Sequence, residues 1–317
     1  MKQTRREFVS TLIMAGAAVP FTSNFSQGSD GSPVNNYPVR LFSKPLDAYE
    51  FDFMCECLVR SGIRGFDLTV RPGGRAEPSH VESVLPRLVE EADKHGLKLD
   101  MMVTGILSAS DPFTEKVLKT ASGLGIKYYR LGWYDYDLTA GIRKSIQKCR
   151  NELEKIAALN RKYKISAGYQ NHSGTRIGGP VWDINELLQG LPSEYMGCQY
   201  DVRHAAVEGA DTWILGMRLL AGRITSLAIK DFTWKTVNGK PVAVTVPLGE
   251  GIINWDLYFQ TIKELNIKGP VSLHIEYPLL ERDEENLPLK QQQDIIVGKL
   301  KKDIDFLDNC LRKYQLV

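Results

Sequence analysis

From Tyr37 onward, short runs of β-branched and aromatic residues alternate with longer amphipathic stretches, eight times in succession. The short runs fall at 39–42, 65–70, 98–103, 128–131, 164–169, 196–201, 226–229 and 271–276, and read as strands. The amphipathic stretches at 46–61, 79–95, 111–122, 139–163, 183–188, 213–220, 255–265 and 291–314 read as helices. Gly96 stands where a glycine, free of Cβ strain, would stop the second of them. Eight strands, each followed by a helix, indicate an α/β fold of one particular kind, a single (β/α)8 TIM barrel rather than an open doubly wound sheet.

No linker or low-complexity segment interrupts residues 37–317, so that body is expected to be one domain. Its main insertion, 233–246, carries Val237-Asn238-Gly239-Lys240, and Asn-Gly tolerates the positive φ angles of a type I′ hairpin turn. Because it follows the seventh strand, this hairpin is expected at the mouth of the barrel. Hydrophobic residues at 43% allow a core of ordinary size without disulfide support. Cys55, Cys57, Cys149, Cys198 and Cys310 have no framework spacing and read as packing thiols.

Residues 1–28 read as an export signal and the start of a flexible leader. Arg5-Arg6 precede an apolar run from Phe8 to Phe21, shorter than the roughly 18 residues of a membrane span. The pattern resembles a twin-arginine signal, which would make the mature protein periplasmic, with no membrane span after its removal. Lys2, Arg5 and Arg6 against Glu7 account for the formal charge of +2, leaving a near-neutral body. A neutral body without a basic stripe excludes broad contact with nucleic acid. An oligomer is compatible with the sequence.

Polar and ionisable residues gather where strands should end. Gln170-Asn171-His172 closes the fifth, Asp201-Val202-Arg203-His204 the sixth, Lys230 the seventh, and His274-Ile275-Glu276 the eighth. Alternate side chains of a strand share a face, so Gln170 and His172 point together, as do Ala228 and Lys230, and His274 and Glu276. A barrel brings such strand ends to one pocket.

These segments resemble the xylose-isomerase-like TIM barrel superfamily, the sugar phosphate isomerases and epimerases. The resemblance rests on Gly65-Phe66-Asp67-Leu68-Thr69-Val70-Arg71-Pro72-Gly73-Gly74, Tyr169-Gln170-Asn171-His172-Ser173-Gly174, Asp201-Val202-Arg203-His204, Ile229-Lys230-Asp231, Pro247-Leu248-Gly249-Glu250-Gly251 and Ile275-Glu276-Tyr277. It extends over nearly the whole body. In metal-dependent members, a divalent ion is held by a Glu, an Asp, a His and a Glu from strands five to eight, and the glutamates move a proton beside a carbonyl. Here the first position is Gln170 and the third is Ala228. The resemblance therefore implies a divalent ion (Mn, Mg, Co or Zn) on Asp201, Glu276, Gln170 and His204, with an incomplete set of donors.

The expected chemistry is proton transfer on a small carbohydrate, as in an isomerase or epimerase. Glu276, His172 and Lys230 are the candidate catalytic groups; His172 would replace the glutamate base that Gln170 lacks. His204, Arg203, Asp67, Arg71, Asn171 and Trp234 are candidate substrate contacts. Plainer roles compete with these: His274 could fill the barrel interior, Lys230 could simply pair with Asp201, and Glu250 could be a helix-entry charge. His80 and His95 are given no role. Two other functions remain open, a lyase acting on keto-glycosides and a carbohydrate-binding barrel without catalysis. An AP endonuclease, a nuclease branch of the same superfamily, is disfavoured because its several histidine ligands are missing.

Overall fold

The computed structural model describes residues 36–317, so the expected export signal at 1–28 lies outside the described residues. Strands β1 (Val39–Phe42), β2 (Gly65–Val70), β3 (Lys98–Thr104), β4 (Tyr128–Arg130), β5 (Ser166–Gln170), β6 (Met196–Asp201) and β7 (Ile224–Ile229) run parallel. Strands β8 (Asp231–Val237) and β9 (Lys240–Val246) form a separate antiparallel hairpin, and β10 (Val271–Leu273) completes the barrel. The closed order β1-β10-β7-β6-β5-β4-β3-β2 is the expected (β/α)8 topology.

The helices are α1 (Phe51–Ser61), α2 (Val81–Lys94), α3 (Thr114–Gly123), α4 (Ile142–Tyr163), α5 (Val181–Leu188), α6 (Val202–Gly209), α7 (Trp213–Leu220), α8 (Trp255–Glu264) and α9 (Leu289–Lys313). Strands so enclosed are covered on both faces, and every residue of β2 and β6 is buried. The interior is nonetheless partly polar. Ser272 of β10 donates to Asp67 of β2 at 2.5 Å across β1, so both side chains point inward.

Two boundaries and one additional helix differ from expectation for local reasons. β5 starts at Ser166 because Lys164 caps α4 in the left-handed conformation, with φ 52°. β10 stops pairing at Leu273, leaving His274 and Glu276 beyond the ladder, where only the bond from His274 N to Ile229 O (2.9 Å) continues it. Helix α6 is absent from the sequence reading. It begins directly after β6, where the Asp201 carboxylate accepts from His204 N at 3.0 Å and caps it.

The hairpin starts at Asp231, two residues earlier than expected, and turns through Asn238 and Gly239 at φ 51° and 75° as the Asn-Gly pair predicts. Asp231, fully buried, accepts from Phe232 N, Gly249 N, Gly251 N, Ile253 N and Trp255 Nε1 at 2.8–3.3 Å. A Cβ on Gly251 would run into that carboxylate, so the Gly249-Glu250-Gly251 segment is shaped by wrapping it. Glu250 itself pairs outside with Lys302. None of the five cysteines is bonded to another, and all but Cys310 are buried.

Candidate active site

Lys230 leaves the end of β7 and carries its ammonium inward, to 3.2 Å from Asp201 Oδ2 and 3.0 Å from Glu276 Oε2. Asp201 and Lys230 are buried, whereas Glu276 keeps 31% of its side chain exposed. Gln170 Nε2 donates to the same Asp201 Oδ2 at 2.9 Å, and Gln170 Oε1 accepts from Arg130 Nη1 at 2.9 Å. The ends of β4, β5, β6, β7 and β10 thus share one continuous polar network. It opens into a cavity of about 700 Å³ whose lining includes Arg71, Arg130, Trp133, Gln170, His172, Lys230, His274 and Glu276.

Charge within the network is biased by burial and by pairing. Burial alone would raise the Asp201 carboxyl, but Lys230, His204 and His274 outweigh it and bring it to about 2. Glu276 is likewise raised by burial and held, against it, well below the carboxylate range by His274 and Lys230. Burial lowers His172, His204 and His274, disfavouring their protonated forms. Desolvation and the Arg71 charge bring Arg130 down to about 9.

His172 at the cavity wall and His204 behind it pack with tilted rings, centroids 3.9 Å apart. His172 Nδ1 lies 2.9 Å from the Ser173 carbonyl oxygen, which only accepts. Its proton is therefore on Nδ1, and Nε2 has a free lone pair. His204 has the opposite tautomer. Arg203 Nη1 donates to its Nδ1 at 3.0 Å, so the proton is on Nε2, 3.7 Å from Asp201 Oδ2. Trp133 lies 4.7 Å from the His172 ring and carries the Arg130 guanidinium 4.0 Å above its own.

Glu276, His172, Lys230, Gln170 and Arg71 line the cavity, and Asp201 is paired with Lys230. Several expected substrate contacts are placed elsewhere. Asn171 is a clamp: its amide donates to Asp201 O at 2.8 Å and accepts from Asp201 N at 2.7 Å, tying β5 to β6. Arg203 holds the hairpin through Ala243 O at 3.0 Å, and Trp234 is 47% exposed on that hairpin, edge-on to Phe232. His204 is buried behind His172, and Asp67 lies in the interior, where burial raises it to about 6 despite the Ser272 bond. The hairpin contributes Thr245 to the cavity lining.

Arg130 is a cavity-lining residue that sequence reading missed. Its signal was present: a lone arginine closing Tyr128-Tyr129-Arg130, at a strand end facing the mouth.

The donors expected to hold a divalent ion do not fit one. Lys230 stands between the two carboxylates, and Ala228 has no ligating atom. Gln170 turns N–H toward Asp201 while Arg130 engages its oxygen, and His204 presents N–H on the side of Asp201. Among the described residues, Asp52 of α1 with Glu91 of α2 and His95 just beyond it could hold a metal ion of undetermined identity. That group lies on the outer helices, and includes a histidine that sequence reading left without a role.

Residues 55–301 match the family described as xylose isomerase-like TIM barrel. In sequence, no curated protein matches. Among solved structures, D-psicose 3-epimerase of Clostridium cellulolyticum H10, crystallised with D-tagatose, is 13% identical at TM-score 0.61, over 86% of this chain and 98% of that one. An L-ribulose 3-epimerase is 14% identical at TM-score 0.64, over 87% and 95%. The probable 3-DHS dehydratase of Bacillus anthracis is 16% identical at TM-score 0.59, over 84% and 97%. At these identities the likeness is one of fold. With most of its length matched in order, the chain belongs to the xylose isomerase-like TIM barrel family.

Proposed function

We propose that this protein moves a proton at the carbon beside a carbonyl of a sugar or keto-sugar, as a sugar isomerase or epimerase. The observation that carries the reading is the His172 tautomer: its Nδ1–H is spent on Ser173 O, so the lone pair of Nε2 is available at the wall of the cavity. A neutral imidazole positioned this way serves as the general base. Lys230 and Arg130 face the same space and would stabilise negative charge developing on the carbonyl oxygen. Trp133 adds an aromatic ring to the lining, with the Arg130 guanidinium over it. The two epimerases of like fold act on small sugars by name, which supports the substrate class. The Arg5-Arg6 pattern supports export to the periplasm as part of the same reading.

A second reading, elimination from a keto-glycoside, is favoured by Gln170. An amide cannot accept the proton that a second carboxylate would take, so removal and return from opposite faces by two carboxylates has lost one of its partners. The test is a panel of ketoses, aldoses and oxidised glycosides incubated with the protein in D2O and read by NMR and mass spectrometry. Deuterium in a recovered or rearranged sugar supports isomerase or epimerase, and an unsaturated product with released aglycone supports elimination. Binding without either result would make the barrel a carbohydrate-binding module.

A further inference from the structure

We infer that the Lys230 ammonium is the resident cation of this barrel, standing where a divalent ion would otherwise bridge the β6 aspartate and the glutamate after β10. The geometry is that of a bridge: Nζ meets Asp201 Oδ2 at 3.2 Å and Glu276 Oε2 at 3.0 Å. A metal bound there would need those same two oxygens, and the ammonium and the ion exclude each other. The neighbouring substitutions are consistent with one exchange. Ala228, on the same face and two residues before Lys230, offers no ligating atom where a histidine would otherwise stand. Gln170 is neutral and turns its N–H toward Asp201, a contact suited to a carboxylate already paired with a monovalent partner.

An ammonium has three N–H groups. One is directed to Glu276, while Asp201 pairs with the ammonium by charge at 3.2 Å; Lys230 also lines the cavity, so a further N–H is available to an oxygen of the bound molecule. On the proposed proton-transfer reading, that oxygen is the substrate carbonyl, and a fixed point charge takes the place of a Lewis acid. Exclusion of a divalent ion does not depend on that reading.

The test uses Mn2+ alone as probe, on the intact protein carrying His95→Gln so that the outer Asp52, Glu91 and His95 group cannot bind it. After chelation, the protein is titrated with Mn2+ and free ion is followed by electron paramagnetic resonance. The expected result is no stoichiometric uptake, and a gain of one tightly held ion per chain when Lys230→Ala and Ala228→His are added. Stoichiometric uptake by the barrel with Lys230 intact, lost in Glu276→Gln, would overturn the inference. So would a folded double variant, checked by circular dichroism, that still takes no ion. Should the double variant not fold, the titration with Lys230 intact decides the matter. No arm contains a sugar, so failure of the proposed sugar chemistry and failure of this inference give separate results.

Discussion

Lys230 Nζ lies 3.2 Å from Oδ2 of Asp201, a carboxylate with no exposed surface. Removing one member of a buried pair strands the other in low dielectric. Asp201→Asn is therefore expected to destabilise the protein by about 3 kcal/mol in urea titration, even though asparagine still caps α6. The pairing also has a pH signature. The folded-state value of about 2 lies below the ordinary 3.8, so this contribution is complete above 3.8 and disappears as pH falls through about 2. It amounts to on the order of 2 kcal/mol, and acid titration of Asp201→Asn should lack it.

Asp67 titrates in the opposite sense. Burial raises it to about 6 against the Ser272 bond, so its protonated form is favoured in the fold. Its contribution is fully present below 3.8 and is lost as pH rises through about 6, by on the order of 3 kcal/mol. Denaturant midpoints of Asp67→Asn measured between pH 4 and pH 7 should fall less steeply than those of the unaltered protein.

On the proposed reading His172 is the base, and its neutral form is the active one. Burial lowers its pKa below 6.5, so kcat/KM should rise with pH through a midpoint under 6.5. His172→Gln should lower kcat by about 10²–10⁴-fold and abolish that limb of the profile. Unchanged kcat in this variant would remove His172 from the chemistry.

Asp231 immediately follows Lys230, yet it serves the scaffold. Its carboxylate accepts four backbone N–H groups and the Trp255 indole, joining the hairpin to the start of α8. Asp231→Ala leaves buried donors unsatisfied, at a cost of about 3 kcal/mol or more. A lowered melting temperature with unaltered Mn2+ behaviour would separate this role from that of Lys230.

The alternation of strands and amphipathic helices made the barrel legible, because each strand run is short, apolar and bounded by turn residues. The strand-end rule also found Asp201, Lys230, Glu276 and His172, since C-terminal strand ends meet in any barrel. What it could not resolve was where each side chain spends its hydrogen bonds. Asn171 and His172 are neighbours in sequence, but one clamps backbone and the other faces the cavity. Asp201 was legible as a strand end but not as the cap of α6, because capping and ligation use the same carboxylate. That Lys230 stands between the two carboxylates is a distance, and spacing in sequence carries no such information. Resemblance to metal-dependent barrels pointed toward an ion, whereas the substitutions Gln170 and Ala228 were the local signs that the arrangement differs.

The measurement that bears most directly on the proposed chemistry is solvent exchange at a substrate carbon. The purified protein, with His172→Gln alongside, is incubated in D2O with the sugar it turns over or binds best in the panel. Deuterium entering the carbon beside the carbonyl, and not in the variant, is the expected outcome. A sugar held in the cavity whose carbon-bound hydrogens never exchange, with no product formed, would contradict proton transfer at this site.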